Sequence, residues 1–335
     1  MIISICIPTY HRSKNLNNCL NSINLNRFNN NNFFEICISD NSIDDMTSDV
    51  VSRYQKDLPI NYIKNQTNIG RVKNYLNVVN MAKGDFVWLL GDDDLLIPSA
   101  ISNIKKLIEN NPSNIDFFYI NSFILKSKYV FSQKQPFNTK NLPLNMKKFA
   151  KKNDSLELDF IDLISPKISF DFLGGMYLAI FRKKKWDLNI SYLNKSAIED
   201  QLIFSHYDNT FPHVKIFAKA FKNSRAFYMH TPLSVTLSGE REWAPMYSLV
   251  RSIRLIESLD IFKENGLSNF NYIIYKNYAL RYFMQDMTKM LLDKKNSGLE
   301  YISFKKHILK NTLYPNLYLS IIYFFIRRIK SIFSD

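Results

Sequence analysis

The chain of 335 residues has little cysteine and glycine and no long apolar run. Its three cysteines, Cys6, Cys19 and Cys37, have no zinc-site spacing and no CxxC pair, which predicts reduced thiols in the cytosol. No stretch of about 18 apolar residues occurs, so the sequence predicts no membrane-spanning helix. The apolar run over residues 1–7 has no basic segment before it and ends at Pro8, so we expect no signal peptide.

Acidic residues are also few, with 30 Asp and Glu against 44 Lys and Arg and a formal net charge of +14. Such an excess attracts polyanions, anionic membrane surfaces or phosphate-bearing substrates, although codon bias in an AT-rich genome also enriches Lys. The basic stretch 121–153 contains no recognisable nucleic-acid-binding module. We therefore expect no nucleic-acid partner.

Apolar strands and amphipathic helices alternate over the first 120 residues. Strands are predicted at 2–7, 33–38, 60–63, 86–90 and 115–120. The helix after the fourth strand is predicted to open at Pro98, whose missing N–H costs nothing there. This order predicts a parallel sheet with helices on both faces, which binds ligands beyond the carboxyl ends of its strands. From about Ala244 the pattern is mostly helical, with one long helical pattern from Tyr272 to Leu292.

A cluster of carboxylates, Gly91-Asp92-Asp93-Asp94, directly follows the apolar strand 86–90. Three adjacent carboxylates repel one another, and a divalent cation is the usual compensation. Oxygen ligands favour Mg²⁺ or Mn²⁺, with a diphosphate and water in the remaining positions. A solvated acidic turn that caps the next helix is the alternative, and Asp94 fits it in part.

Two weaker motifs also lie next to predicted strands or helices. Ser39-Asp40-Asn41-Ser42 ends the second strand, where an Asp can accept a base N–H or bind a ribose. Asn68-Ile69-Gly70-Arg71 precedes a helix, whose amides and arginine could cradle an anion. Taken singly, each motif is also common turn or helix-cap chemistry.

The motifs taken together are more specific than any one of them. This list, in chain order, resembles the nucleotide-sugar half of family 2 glycosyltransferases of the GT-A fold: Pro8-Thr9-Tyr10-His11-Arg12, Ser39-Asp40-Asn41-Ser42, Asn68-Ile69-Gly70-Arg71, Gly84-Asp85-Phe86 and Gly91-Asp92-Asp93-Asp94. The resemblance covers about residues 2–110 clearly and 165–240 loosely, and is greatest to the bacterial abequosyltransferase-like branch, which decorates surface polysaccharides. Gly91 stands where the family's Asp-x-Asp-Asp run has its first Asp, which shifts the metal role onto Asp93, with Asp92 or Asp94 helping.

The resemblance implies roles for particular residues. Asp40 would contact the base, Arg71 would approach the base or diphosphate, and Asp92 and Asp93 would hold ribose and metal. The implied nucleotide-sugar site comprises Pro8, Thr9, Tyr10, Arg12, Asp40, Ser42, Gly70, Arg71, Asp92 and Arg241. The implied ligands of Mn²⁺ or Mg²⁺ are Asp93, Asp92 and Asp94.

A catalytic base is expected further along the chain, from an acidic pair at the start of a helix. Glu199-Asp200 precedes the apolar residues 202–204 and fits that description. Because the family inverts the anomeric carbon, one base suffices: Asp200 (or Glu199) would take the acceptor proton while the metal stabilises the leaving diphosphate. Acids also suit the first turn of a helix with no catalytic role.

Two further segments have open interpretations. Residues 239–243 could form a lid whose Arg241 meets the diphosphate, or an ordinary loop. Residues 317–326 are apolar and aromatic and precede Arg327, Arg328 and Lys330. Ten apolar residues cannot span a bilayer but suit a helix in the membrane interface, unless the helix packs on the core.

These expectations define one testable picture. A GT-A domain over 1–243, with a nucleotide-sugar half (1–120) and an acceptor half (121–243), precedes a helical region over 244–335 with a membrane-surface helix at 316–333. The enzyme would be an inverting, metal-dependent glycosyltransferase that acts on a bacterial surface-glycan precursor of the O-antigen, lipooligosaccharide or capsule type, with a lipid-linked acceptor. It would be cytoplasmic and peripherally bound to the cytoplasmic membrane. The alternative is a non-catalytic nucleotide-sugar or glycan-binding module on the same fold.

Overall fold

The computed structural model describes residues 3–27, 33–110, 114–239 and 243–332, and only the backbone of 327, 328 and 330–332. The chain forms two compact units. Unit 1 comprises Met1–Leu163, Gly175–Ser191 and Asn223–Glu240, and unit 2 comprises Ile164–Gly174, Tyr192–Lys222 and Arg241–Asp335. The last segment of unit 2 thus begins close to the expected boundary at 243/244, and two earlier segments join it.

Unit 1 is built on one mixed sheet. Its strands are β1 (Ile3–Thr9), β2 (Phe34–Asp40), β3 (Ile60–Lys64), β4 (Phe86–Leu89), β5 (Leu95–Leu96), β6 (Phe117–Lys126), β7 (Lys147–Lys148), β8 (Leu156–Asp159), β9 (Ala179–Arg182) and β10 (Arg225–Ser238). The strand order is β3-β2-β1-β4-β9-β6-β10-β5, with β7 beside β6 and β8 beside β10. Strands β3, β2, β1 and β4 are mutually parallel, as predicted. Beyond β4 the sheet is mixed, because β9 runs antiparallel to both β4 and β6.

The helices of unit 1 follow its strands along the chain. They are α1 (Ser13–Asn24), α2 (Met46–Tyr54), α3 (Arg71–Asn80), α4 (Ala100–Glu109), α5 (Ser127–Phe131) and α6 (Lys183–Asp187). Every residue of β1 and β2 is buried, as expected for parallel strands covered on both faces. The predicted start of α4 at Pro98 is wrong. Ser99 has a φ of +68°, outside the helical region, so α4 begins only at Ala100.

Aromatic residues fill the core of unit 1 around β4 and β9. Trp88 and Trp186 are almost fully buried, and the Trp88 indole N–H donates to the carbonyl of Tyr177 at 2.8 Å. Trp186 stacks on Phe181, with the ring centroids 4.9 Å apart. This packing fixes β9 against β4, which places the carboxyl end of β4 firmly in the sheet.

Unit 2 is mainly helical, as expected for the C-terminal region. Its helices are α7 (Lys195–Glu199), α8 (Tyr207–Thr210), α9 (Pro212–Ala220), α10 (Tyr247–Leu249), α11 (Leu255–Glu264), α12 (Asn269–Ala279), α13 (Phe283–Leu292) and α14 (Pro315–Ile332). A π-helical turn over Val250–Arg254 joins α10 to α11, and a 3₁₀ turn over Leu280–Tyr282 divides the single pattern predicted from Tyr272 to Leu292. In the described part of the chain, no helix is both long and apolar enough to cross a membrane.

A buried ionic cluster joins α11 to the segment before α14. Arg254 and Glu257 are only 3% and 5% exposed, and the Arg254 guanidinium donates to the Glu257 carboxylate at 2.7 Å. Lys306 and His307 contact the other carboxylate oxygen. Burial would raise the pKa of Glu257, but the hydrogen bond from His307 and the charges of Arg254 and Lys306 outweigh it and lower the pKa to about 2.

Glu257 should therefore make the stability of unit 2 depend on pH. A carboxyl group with a lowered pKa stabilises the folded state above its unfolded pKa of about 4.3, and this contribution is lost as the pH falls toward 2. Glu257→Gln leaves Arg254 buried without its anion, so we expect the unfolding free energy at pH 7 to fall by about 3–5 kcal/mol. The decline between pH 5 and pH 2 should be shallower than in the wild type.

Urea unfolding at pH 7, 5 and 3 measures both effects. Glu264→Gln, an exposed acid on the same helix, is the matched control and should change stability little. Equal pH dependence in Glu257→Gln and the wild type would contradict the role assigned to Glu257.

Candidate functional site

The carboxyl ends of β1, β2 and β4 lie side by side at one edge of the sheet of unit 1. Thr9 ends β1 and pairs in register with Asp40, which ends β2. Strand β4 ends at Leu89, and Asp92 follows three residues later. The Thr9 hydroxyl donates to Asp92 at 2.8 Å. Three of the predicted motifs are thus brought together by the parallel sheet.

Arg12 neutralises two of the clustered carboxylates. Its guanidinium lies 3.3 Å from Asp92 Oδ1 and donates to Asp93 Oδ2 at 2.9 Å. Asp94 is used differently, because its Oδ2 accepts the Gly91 amide at 3.0 Å and closes the turn. Asp94 therefore closes its own turn and does not cap the next helix, which begins only at Ala100, and it is buried rather than solvated. Its role as a metal ligand stays a prediction.

The donor set suits a divalent cation that is shared with a ligand. Among the residues that the structure describes, no three His, Cys, Asp or Glu side chains are arranged to hold a metal ion by themselves. Asp92 and Asp93 nevertheless share one cationic partner, which shows that both face the same point. Mg²⁺ is commonly bound by one or two carboxylates together with substrate phosphates. The two aspartates fit that arrangement.

Asp40 is completely buried and held on both carboxylate oxygens. Oδ1 accepts the amide of Ser42 and Oδ2 accepts the hydroxyl of Tyr62, each at 2.8 Å. Burial and the bond to Asp40 raise the pKa of Tyr62, so that hydroxyl remains a donor at neutral pH. Each carboxylate oxygen can accept a second hydrogen bond. The Asp40 side chain has no exposed surface, so a nucleobase N–H could reach it only if the surrounding loop moved, and the base contact stays a prediction.

A network of asparagine amides, which was not predicted from the sequence, connects the ends of β1, β2 and β3. Asn41 donates to Asn68 and accepts from Asn65, both at 2.9 Å. Asn65 also donates to Asn74, whose amide donates to the carbonyl of Thr9 at 3.2 Å. These bonds satisfy polar groups that would be costly to bury alone, and they tie the loop before α3 to the end of β1.

The predicted anion cradle at Asn68-Ile69-Gly70-Arg71 is partly occupied by the chain itself. The Gly70 amide donates to the Asn68 side chain at 2.9 Å, so it is not available to a ligand without rearrangement. Gly70 has a φ of +88°, which favours glycine, and Arg71 is the first residue of α3. Arg71 is partly exposed and remains the candidate contact of this motif.

The remaining predicted pocket residues differ in exposure. Pro8 is buried within β1, whereas Tyr10 is 40% exposed and packs edge-on against His11. A cavity of about 200 Å³ opens beside this loop, and its lining includes His11, Arg12 and Lys14. The lining also includes Asp44, which contacts the His11 ring at 2.8 Å, and Arg12 is paired with Asp92 and Asp93, so the cavity by itself does not indicate a phosphate-bearing ligand.

The acidic pair Glu199-Asp200 lies in unit 2, and its predicted position at the start of a helix is wrong. Glu199 is the last residue of α7 and Asp200 is the C-cap. The apolar residues Leu202 and Ile203, taken as a helix face, are 60% and 46% exposed. The Asp200 side chain accepts the amide of Leu202 at 2.8 Å, and such a local turn competes with helix formation.

The loop over residues 200–206, here called the Asp200 loop, is nevertheless well defined. The Asp200 carboxylate also accepts the Ser205 hydroxyl at 2.6 Å and lies 3.4 Å from the His206 ring. The bonds from Ser205 and the Leu202 amide lower the pKa of Asp200, which keeps it ionised at neutral pH. An ionised carboxylate at a partly exposed loop can accept a proton from a bound hydroxyl.

Arg254 holds the Asp200 loop through two backbone carbonyls. Its guanidinium donates to the carbonyls of Phe204 and Ser205 at 2.8 and 2.7 Å. Phe204 has a φ of +60°, a conformation that is costly for a residue with a side chain and persists only where the surroundings enforce it. Such strain is typical of functional loops. No local sequence pattern marks Arg254, because Phe204 and Ser205, whose carbonyls it binds, lie about 50 positions away in the chain.

Arg241, predicted to meet the diphosphate, lies outside the described residues. Asn74 and Asn77 of α3 could have been recognised from the sequence. They are spaced three residues apart on the helix face that also carries buried valines. Polar residues at core spacing predict a hydrogen-bond network.

Comparison with known proteins places this site in a family. The sequence model of glycosyl transferase family 2 matches residues 4–165. Abequosyltransferase RfbV of Salmonella typhimurium is 39% identical over 112 residues, 33% of each chain. The GalNAc(5)-diNAcBac-PP-undecaprenol beta-1,3-glucosyltransferase of Campylobacter jejuni is 36% identical over 106 residues, 31% of this chain and 33% of its own. The chain thus spans about a third of the length of these curated relatives.

Solved structures share the fold at low identity. S. aureus TarS residues 1–349 in complex with UDP has a TM-score of 0.53 and 18% identity, and the match covers 88% of this chain and 75% of that one. A mannosyltransferase from Pyrobaculum calidifontis in complex with GDP-Man and Mn²⁺ has a TM-score of 0.52 and 12% identity, with coverages of 93% and 81%. The fold is therefore that of the GT-A glycosyltransferases, and just under half of the chain, residues 4–165, matches glycosyl transferase family 2.

Proposed function

We propose that the protein is an inverting glycosyltransferase that moves a sugar from a nucleoside-diphosphate sugar to a hydroxyl of a bacterial surface-glycan precursor. Asp92 and Asp93 carry this proposal, because they lie at the carboxyl ends of parallel strands, beside Thr9, and share a cationic partner in Arg12. The family match over residues 4–165 and the names of the relatives support the reaction class. The base contact of Asp40 rests on the sequence resemblance, because the buried carboxylate is held by Ser42 and Tyr62.

Each group of residues has a separate task in this mechanism. Asp40 accepts an N–H of the nucleobase, and Arg12 and Arg71 face the phosphates. Asp93 and Asp92 would hold Mn²⁺ or Mg²⁺, which stabilises the negative charge that develops on the leaving diphosphate. Asp200 accepts the proton of the acceptor hydroxyl as its oxygen attacks the anomeric carbon from the side opposite the diphosphate. The anomeric carbon is inverted in one displacement, so no covalent intermediate with the protein is needed.

The exposed apolar surface of α14 would suit an enzyme whose acceptor is linked to a membrane lipid. One face of this helix packs within unit 2, where Leu317 and Ser320 are buried. The opposite side exposes apolar residues that include Ile322 at 53% and Phe325 at 58%. Three cationic residues of the sequence, at 327, 328 and 330, follow this apolar segment. We propose that this surface lies in the membrane interface, where apolar burial and attraction to anionic lipid act together.

Replacement of Asp93 should separate nucleotide binding from metal dependence. We expect Asp93→Asn to abolish transfer and to remove the Mn²⁺-dependent part of nucleotide affinity, because one of the two shared carboxylate charges is lost. Calorimetry with UDP, GDP, CDP and dTDP, each with and without Mn²⁺, measures this affinity. Asp85→Asn, an exposed acid at the other end of β4, is the matched control. Undiminished Mn²⁺-dependent affinity in Asp93→Asn would refute the metal assignment.

Replacement of Asp200 should affect turnover and spare donor binding. We expect Asp200→Asn to lower kcat by roughly 10²-fold or more, the usual effect of losing a general base. Its nucleotide affinity should stay at the wild-type value. Glu199→Gln, one residue away and exposed, serves as the control. If only Glu199→Gln is inactive, the two roles are exchanged, and if both variants are active the base lies elsewhere.

Replacement of the outer surface of α14 should release the protein from membranes. We expect the double variant Ile322→Ser, Phe325→Ser to bind anionic vesicles about tenfold or more weakly, because two apolar side chains no longer leave water. High salt should weaken wild-type binding only in part, since apolar burial is not screened. Co-sedimentation with anionic and neutral vesicles measures binding, and Leu144→Ser, a 98% exposed leucine of unit 1, is the control. Equal pelleting of all three proteins would contradict the proposal.

A further inference from the structure

Residues 121–153 of unit 1 contain eight lysines and no acidic residue. Seven of the lysine side chains are exposed and the eighth is partly exposed. Among the residues that the structure describes, none of the eight forms an ion pair, whereas Lys64, Lys183 and Lys185 of the same unit each pair with an aspartate. The eight are here called the lysine surface: Lys126, Lys128, Lys134, Lys140, Lys147, Lys148, Lys151 and Lys152. Because like charges without a counter-charge repel one another, this surface favours an anionic partner.

The lysine surface is carried by a folded segment with its own small core. Val130 and Phe137 of this segment are buried in a cluster with residues of β5 and β10, and Met146 packs against that cluster. The side chain of Asn18 on α1 accepts the amide of Phe137 at 2.7 Å and donates to the side chain of Gln135 at 2.8 Å. The backbone that presents the lysines is therefore fixed before a ligand arrives, which reduces the entropy lost on binding.

Strand pairing places two of these lysines near the carboxylates of the donor site. Strand β7, which consists of Lys147 and Lys148, pairs with β6 on the side opposite β10, because β10 pairs with the same two residues of β6. One row of paired residues crosses four strands, in the order Leu95, Val235, Phe123 and Lys148. Leu95 directly follows Asp94. Three strand spacings of about 4.8 Å, roughly 14 Å in all, therefore separate the backbone of Lys148 from the end of the carboxylate cluster.

We propose that the lysine surface binds the acidic groups of the acceptor, so that the substrate class of the proposed transferase, on which this inference rests, is an acidic glycan. In that reaction the acceptor comes to the edge of the sheet that holds the donor, and the lysines of β7 lie within an oligosaccharide's length of that edge. A lysine ammonium group is a compact charge that attracts phosphate and carboxylate alike. Several such contacts along one glycan chain act together.

The exposed side chains favour a glycan over a membrane surface. Firm attachment to a membrane takes apolar burial in addition to charge. Within residues 121–153, all of which the structure describes, Leu144 is the one large apolar side chain that is exposed. Binding at the lysine surface therefore depends almost wholly on charge, which suits a dissolved chain of acidic sugars.

Charge reversal in β7 tests the proposal in the full-length protein. We expect the double variant Lys147→Glu, Lys148→Glu to bind oligogalacturonate and phosphorylated dextran about tenfold or more weakly, because two attractions become repulsions. The milder variant Lys147→Gln, Lys148→Gln should weaken binding in the same direction. Fluorescence anisotropy of labelled glycans measures the affinity, with neutral dextran as the uncharged probe. Wild-type binding should weaken between about 50 and 200 mM salt, and less steeply in the variants.

A second exposed lysine pair provides the matched control. The double variant Lys294→Glu, Lys295→Glu makes the same change of net charge in unit 2 and should retain the wild-type affinity for both acidic glycans. All variants should keep the wild-type affinity for the cognate nucleoside diphosphate, which also shows that they are folded.

The outcomes separate the lysine surface from the proposed function. Failure of the wild type to bind either acidic glycan, undiminished binding in both β7 variants, or an equal loss in the unit 2 control overturns the inference. Tighter binding of anionic vesicles or of a single-stranded oligonucleotide, lost on reversal in β7, also overturns it and assigns the surface to lipid or nucleic acid.

Nucleotide binding decides the remaining cases. A loss of affinity for UDP, GDP, CDP and dTDP in the β7 variants overturns the inference and assigns the lysines to the donor phosphates. Nucleotide binding by a wild type that binds no acidic glycan overturns the inference alone and leaves the proposed function standing. Lysine-dependent glycan binding in a protein that binds none of these nucleotides keeps the acidic-glycan site but refutes the transferase, in favour of a glycan-binding module.

Discussion

The pairing of Arg12 with Asp92 and Asp93 is the interaction on which the donor site depends. Two carboxylates on adjacent residues, one of them 5% exposed, repel each other and lose solvation, so they require a nearby positive charge. Arg12 supplies that charge from the loop after β1, and the Thr9 hydroxyl adds a bond from the same strand end. The loop is thereby fixed across the sheet edge. If a divalent cation is held here as proposed, Asp92 and Asp93 would be its protein ligands and would share their oxygens between it and Arg12.

The asparagine network solves a second constraint at the same edge. Loops that follow parallel strands leave backbone and side-chain polar groups buried, and each unpaired group would cost stability. Asn41, Asn65 and Asn74 pair with one another and with the strand end, without adding charge next to a site that must accept an anion. Charged side chains in these positions would alter the local field. The neutral network leaves the electrostatics to Arg12, Asp92 and Asp93.

The sequence patterns correctly predicted those strands whose positions depend on the local order of apolar residues. The strands β1 to β4 lie within two residues of their predicted bounds, since buried parallel strands are short apolar runs that contain little else. Asp40 and Asp92 lie at the same edge of the sheet because the carboxyl ends of neighbouring parallel strands lie side by side. The helix start at Asp200 failed because the side chain of Asp200 bonds the backbone two residues on, and because Arg254, distant in sequence, holds the next carbonyls. Tertiary partners of this kind leave no periodic trace.

The sequence similarity to the glycosyltransferase family lies almost entirely in unit 1, whereas the proposed base, Asp200, lies in unit 2. The family match covers residues 4–165, which contain the groups proposed to meet the phosphates and the base and belong, up to Leu163, to unit 1. Any nucleoside diphosphate presents the same phosphates, so its binding elements need not change with the sugar acceptor. Acceptors differ in ring, substituents and carrier, and Asp200, the residue proposed to meet their reacting hydroxyl, belongs to unit 2. Arg254 holds the Asp200 loop by donating to the carbonyls of Phe204 and Ser205 and is itself paired with the buried Glu257 of the same unit. Acceptor specificity can therefore change within unit 2 while the carboxylate edge of unit 1 stays as it is.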